Sequence, residues 1–309
     1  MKLLDNPEKL SFIIKELDEK FKSEEIPIPD RPVLAIFEAG EHDSAEISHQ
    51  TVFGLGRPPA PYAAKFAETV NNWFLERYGE LVKKDLSLGK KVVSIQDDLW
   101  VLQIPQIMGR VEFVASADQP TSKADYVSGK PYIYNVVDSV KRMTDAQKRE
   151  LPDYERAFIF EKFIVGFQSL SIVKACISQL PEAQNICLAA EADLNASVNH
   201  LISSTPEYGQ SKWASLQFAE KIMKAAILSK GVDFARGHVL EKIANQLRTV
   251  GISTGSLETL FPHIQCAAGV RYGDLPVNRD EALIAHNAAF VVPKVLRDSG
   301  ANFKIMHAF

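Results

Sequence analysis

Beyond Thr144 the strand signals of this chain stop, and apolar residues recur every three or four positions almost to its C-terminus. The periodic segments are long and their ends are marked. They predict helices over about residues 154–180, 183–203, 208–230, 238–250, 257–269 and 279–297. Gly231 stops the third, and Asn278 with Glu281 three residues on forms a capping-box start for the last, which Pro293 is expected to kink. So many amphipathic stripes bury their apolar faces only against one another, so this half of the chain is expected to be a helical bundle.

The first half reads differently. Residues 7–23 have the pattern of a surface helix, and IPIPDRP then forms a proline-punctuated joint before VLAIF, which reads as an apolar strand. An irregular segment, GEHDSAEISHQTVFGLGRPPAPY, leads to a helix over about 63–86. KKVVSI, LWVLQIP and GRVEFVAS follow as three short strands rich in β-branched and aromatic residues. The expected fold class is α+β, with a small mixed α/β N-terminal domain at 1–150, a connecting helix at 151–187 and an all-α bundle at 188–309.

A net charge of −4 gives no general attraction to nucleic acid or anionic lipid, so any such binding must be local. Cys176, Cys187 and Cys266 are odd in number and form no CxxC pair, which fits reduced core thiols. MKLLDNPEKL lacks the apolar core of a signal peptide, and the most apolar stretch is interrupted by Glu161, Lys162, Gln168 and Lys174. A cytoplasmic protein without membrane association is expected.

Several motifs touch on chemistry. GLGRPPAP has the glycines of a phosphate loop but not its Lys-Ser/Thr ending, and its prolines remove backbone donors, so it reads as an ordinary loop. His42, Asp43, Glu46 and His49 would share a face as metal ligands do only on a helix, and their flanks read as a polar loop. Asp97 and Asp98 fall where a hairpin turns. No Gly-Ser turn followed by an Asp-x-Asp pair marks a nucleotidyltransferase centre. No metal and no cofactor is expected.

Two features of the helical half stand out. The inward stripe of the helix beginning near Tyr208 runs Trp213, Leu216, Glu220, Met223 and Ile227, which sets one carboxylate in an apolar row. A buried carboxylate needs a partner; Lys224, Lys221 and Arg271 are candidates, with Arg271 favoured. Separately, Arg279 and His286 lie two turns apart on one helix face, a spacing that suits an arginine on a scissile phosphate and a histidine that transfers a proton.

In order along the chain, AEADLNAS (190–197), WASLQFAEKIMKAAILSKG (213–231), the Gly-His-x-Leu of Gly237 to Leu240, and the Arg-Tyr of Arg271 and Tyr272 resemble the HEPN domain, a bundle of about five helices. The resemblance covers about residues 188–300. It implies a homodimer with a nucleotide or RNA ligand, often within toxin–antitoxin or phage-defence modules. It also implies one of two kinds of member. Catalytic members are metal-independent ribonucleases with an Arg-x4-6-His motif. Non-catalytic members bind a nucleotide or a nucleotidyltransferase partner and keep Arg-Tyr-Pro, close to the Arg271-Tyr272-Gly273 found here. If Arg271 stands at the catalytic arginine, the motif needs a histidine at 276–278, where the chain has Pro276, Val277 and Asn278. The leading expectation is a non-catalytic binding module whose ligand residues are Glu220, Lys224, His238, Arg271 and Tyr272. A ribonuclease using Arg279 and His286 is the first alternative, and a dimerisation scaffold the second.

Overall fold

The computed structural model describes residues 2–53, 59–83, 85, 87–107, 111–121 and 132–306; the first five residues of GLGRPPAP lie outside them. The chain divides into two units, Met1–Leu86 and Ser87–Phe309.

In the first unit, Asn6 caps helix α1 (Pro7–Ser23) by accepting the Lys9 N–H. Helices α2 (Arg31–Gly40), α3 (His49–Phe53) and α4 (Pro61–Tyr78) follow. VLAIF, read as a strand, belongs to α2. Pro32, Ala35, Ile36 and Ala39 are buried at helical spacing while Val33 and Leu34 face outward, a distinction that a five-residue apolar run does not carry. Leu10, Ile14, Phe21, Ile36, Phe66, Val70 and Phe74 make the core. Within it Asp18 is fully buried, accepting from Tyr78 Oη at 2.6 Å and from Arg31 Nη1 at 3.2 Å, with Lys22 Nζ at 3.2 Å. Burial raises the Asp18 carboxyl pKa, but these donors outweigh it and hold the group below its ordinary range.

The second unit opens with strand β1 (Ser87–Ile95), which pairs antiparallel with β2 (Asp98–Pro105). Gln96 and Asp97, at φ of 50° and 64°, form the two-residue turn between them; with both residues in the left-handed region, the turn matches the right-handed twist of the flanking strands. Strand β3 (Val111–Val114) pairs in parallel with β4 (Tyr132–Asn135), a four-residue strand too short to announce itself in the sequence.

Then come α5 (Asp145–Glu150), α6 (Asp153–Gln179), α7 (Gln184–Ile202), α8 (Tyr208–Leu228) and α9 (Leu240–Thr249). The helix expected over 257–269 is instead three short turns, α10 (Gly255–Glu258), α11 (Phe261–Ile264) and α12 (Gly269–Tyr272). Pro262 has no N–H to donate to a preceding turn, so it sits in the first turn of a new short helix rather than inside a long one. The capping box of Asn278 and Glu281 forms as expected and opens α13 (Arg279–Asp298), which continues through the buried Pro293.

The β1–β2 hairpin packs on α6, α7 and α13. Val93, Ile95, Leu102 and Ile104 share one apolar cluster with Phe163, Leu170, Phe218 and Phe290. The strands therefore belong with the bundle, and the division falls at Leu86 rather than near residue 150. Gly166 on α6 makes this possible: a Cβ there would stand 3.1 Å from Ile104 Cδ1 and 3.8 Å from the Lys91 stem. At the centre, α8 touches α7, α9, α11, α12 and α13, and so is buried on nearly every face. Among the described residues, no single helix is long and apolar enough to cross a membrane.

Candidate functional site

Glu220 lies on the buried α8 with Leu216, Met223 and Ile227, as its stripe requires, and is 2% exposed. Its carboxylate is held on both oxygens. Lys224, one turn on, donates to Oε1 at 2.7 Å, and His238 Nδ1 stands 2.8 Å from Oε2, with Gln217 Nε2 at 3.4 Å from the same atom. The favoured partner, Arg271, plays no part in this. Its segment meets the start of α8, where Gln210 donates to the Arg271 carbonyl, ten residues or about 15 Å along the axis from Glu220. Helical i, i+4 geometry makes Lys224 the closer partner.

The cluster reaches from core to surface. Lys224 is 7% exposed and its ammonium sits 5.1 Å from the centroid of the Phe234 ring. His238, by contrast, has a side chain 65% exposed. It belongs to the loop between α8 and α9, where Gly237 takes a φ of +144°, a conformation that side-chain-bearing residues rarely adopt, and so turns the chain beside the carboxylate. Next to Glu220, Lys221 pairs with Asp193 of α7. Burial, with Glu220's charge adding to it, raises the Asp193 carboxyl pKa, although Lys221 pulls it down. Adjacent to His238 in the chain, Val239 lines a cavity of about 380 Å³ with Phe261, Pro262, Arg248 and Gln265.

The proposed ligand residues therefore fall into two groups. Glu220, Lys224 and His238 form one cluster. Arg271 and Tyr272 lie together elsewhere, the guanidinium 5.7 Å from the tyrosine ring and both side chains exposed. Asp193, Gln217 and Phe234 complete the first cluster, and for Gln217 the i, i+3 spacing to Glu220 was a readable signal.

Arg279 and His286 occupy the expected face of α13, but they meet the hairpin. Arg279 is exposed and its Nη1 donates to the Asp97 carbonyl at 2.9 Å. His286 is completely buried, with its ring 5.5 Å from that of Phe290. Its Nε2 accepts the Val92 N–H at 3.1 Å, so the proton lies on Nδ1, which stands 3.0 Å from Ser197 Oγ and donates to it. Ser197, Ser211 and Ser215 close a buried hydroxyl network around it. Burial, reinforced by the nearby Lys91, lowers the His286 pKa to about 3. Both ring nitrogens are thus used inside the fold.

Lys91 itself is 1% exposed, with its ammonium 4.8 Å from the Phe290 centroid; burial and the Lys162 charge lower its pKa to about 7. Strand alternation would have placed only one of Lys91 and Val92 inside, but this strand is covered on both faces.

Elsewhere, Asp43 accepts from the Leu3 N–H and from Tyr62 Oη, each at 2.7 Å, and His49 stacks on Phe37 at 4.0 Å. Among the described residues no group of three or more His, Cys, Asp or Glu is arranged to hold a metal ion.

Comparison with known proteins gives one match, between residues 183–298 and the model of the HEPN domain family. No curated protein and no solved structure matches the chain.

Proposed function

From the HEPN domain at residues 183–298, we propose a non-catalytic module that binds a nucleotide or RNA at Glu220, Lys224 and His238. One observation carries this reading. The histidine of the Arg279/His286 pair is sealed in the core with both nitrogens engaged, whereas a second histidine, braced by a buried carboxylate, stands open at the surface. His238 offers its exposed ring to a phosphate, and the buried Lys224 braces the Glu220 carboxylate that orients that ring. The cavity that Val239 lines, with Phe261 and Pro262 as its other apolar residues and Gln265, Glu241 and the Arg248–Glu258 pair as its polar ones, offers a base apolar contact and hydrogen-bonding groups.

Arg271 and Tyr272 form a second contact surface, for a protein partner such as a nucleotidyltransferase or an antitoxin chain, within a toxin–antitoxin or defence module. The chain acts as a homodimer, which the exposed Tyr272, Leu275 and Ile284 support.

Fluorescence anisotropy with labelled single-stranded RNA and nucleotides tests the binding site. His238→Ala and Lys224→Met are expected to weaken binding at least tenfold, and Arg279→Ala to leave it unchanged. EDTA-resistant RNA cleavage by the wild type that is lost in Arg279→Ala would favour the ribonuclease instead.

A further inference from the structure

Between the start of α2 and α4 the first unit carries an open groove of about 740 Å³. Ile26, Pro32, Val33, Leu34, Leu75 and Val82 line it, and most of its wall is apolar. The phase of α2 explains this. Its buried stripe of Pro32, Ala35, Ile36 and Ala39 leaves Val33 and Leu34 on the outer side, and Leu75 of α4 is likewise exposed. Single exposed aliphatic residues are ordinary on a protein surface, but these three meet in one concave patch.

The backbone around the groove decides between an extended and a helical occupant. Among the described residues the first unit holds no strand, so no free sheet edge offers hydrogen bonds to an extended chain. The uncharged polar groups of the lining are the carboxamides of Asn71 and Asn72, one turn before Leu75, too few to satisfy the backbone of an extended segment. A helix satisfies its own backbone and needs only to bury an apolar stripe, which a groove flanked by helices receives between them.

The charge left over beside the groove is negative. Lys83, which lines it, is paired with Glu80, and Arg77 of α4 with Asp18 and Glu19. Glu24 and Glu25, directly before Ile26, and Glu76, directly after Leu75, are exposed and form no ion pair among the described residues. Residues 1–86 carry 11 Lys and Arg against 16 Asp and Glu, a net charge of −5. A cationic flank is therefore attracted to this surface and an acidic one repelled.

We propose that the groove between α2 and α4 receives a basic amphipathic helix of another protein, its apolar face on Val33, Leu34 and Leu75 and its lysines or arginines against Glu24, Glu25 and Glu76. This gives the first unit a role in partner recognition, and it does not rest on the nucleotide reading of the second.

Fluorescence anisotropy of the full chain with a labelled peptide of about 18 residues, Leu on one helical face and Lys on the other, tests it. Leu34→Asn with Leu75→Asn, checked for folding by circular dichroism, should weaken binding at least tenfold. Glu24→Gln, Glu25→Gln and Glu76→Gln together should weaken it about fivefold and flatten its salt dependence. A peptide with the same Leu positions and Glu in place of Lys should bind at least tenfold more weakly, and the Lys peptide should gain helical circular dichroism on binding. Equal binding of a Lys peptide broken by a central proline would assign the groove to an extended segment and overturn the proposal. So would peptide binding that ignores the Leu34 and Leu75 substitutions. Light scattering covers the remaining occupant: a dimer that those two substitutions convert to a monomer would place a second copy of this chain in the groove, which also overturns it.

Discussion

Lys91→Met should make the protein more stable, because the native fold holds this amine at a cost. Lys91 is 1% exposed, among the described residues no carboxylate forms an ion pair with it, and burial lowers its pKa from 10.5 to about 7 against a smaller opposing effect of the Glu161 charge. A group whose folded pKa lies below its unfolded one binds more protons when unfolded, so stability rises with pH between the two values, here from about 7 to 10.5. Stability present above pH 10.5 is lost as the pH falls towards 7. At about 1.4 kcal/mol per pKa unit, the depression represents roughly 4 to 5 kcal/mol at neutral pH, an upper bound. The Phe290 ring returns about 1 to 2 kcal/mol of this through its attraction for the ammonium. Methionine follows much the same path past Gly166 without a charge to desolvate, so a gain of about 1 to 4 kcal/mol is expected. For a unit of this size that is a rise in Tm of roughly 3 to 12 °C. Thermal unfolding of both proteins from pH 6.5 to 10.5 should show the wild type approaching the variant as pH rises. A variant that is less stable at pH 7, or whose difference from wild type ignores pH, would refute the reasoning.

Glu220→Ala leaves the Lys224 ammonium buried without its carboxylate, so chemical denaturation should show a loss of about 2 to 4 kcal/mol; an unchanged midpoint would mean that the pair is solvated. Asp18→Ala should destabilise the first unit by about 3 kcal/mol at neutral pH, since it strands the buried Arg31, and spectroscopic probes confined to residues 1–86 should report it. Because the Asp18 pKa is lowered, its contribution is present above pH 3.8 and is lost as pH falls below it; the same probes, followed through acid titration, should show the wild type approaching Asp18→Ala there.

The helices of the bundle were legible because long periodic segments with Gly, Asn and Pro punctuation leave little choice. Five of the six expected helices appear close to their expected ends, and the capping box of Asn278 and Glu281 is formed. The strand reading of VLAIF failed because a short apolar run is equally at home in a buried helix, and α2 is one. The division between units was misplaced for a different reason. Strand signals mark secondary structure, not partnership, and nothing in KKVVSI says that its apolar residues pack on α6 and α13.

At the site, the burial of Glu220 and its pairing with Lys224 follow from helix geometry alone. His238 as its second partner depends on how an irregular loop returns to α8, through a glycine at φ +144°, and local periodicity has no bearing on that. The Arg279/His286 spacing was correctly placed on one helix face. Which face the hairpin covers is a tertiary fact.

The most direct test of the account follows the histidine rings themselves. Long-range proton–nitrogen NMR spectra of the imidazoles, recorded from pH 5 to 8 with and without adenosine monophosphate, distinguish the two candidate histidines. The account predicts that His286 stays neutral, protonated on Nδ1 throughout and indifferent to the nucleotide, while His238 keeps its Nδ1 proton and shifts at Nε2 when the nucleotide is added. A His286 ring that titrates in this range and responds to the nucleotide, with His238 unmoved, would contradict it.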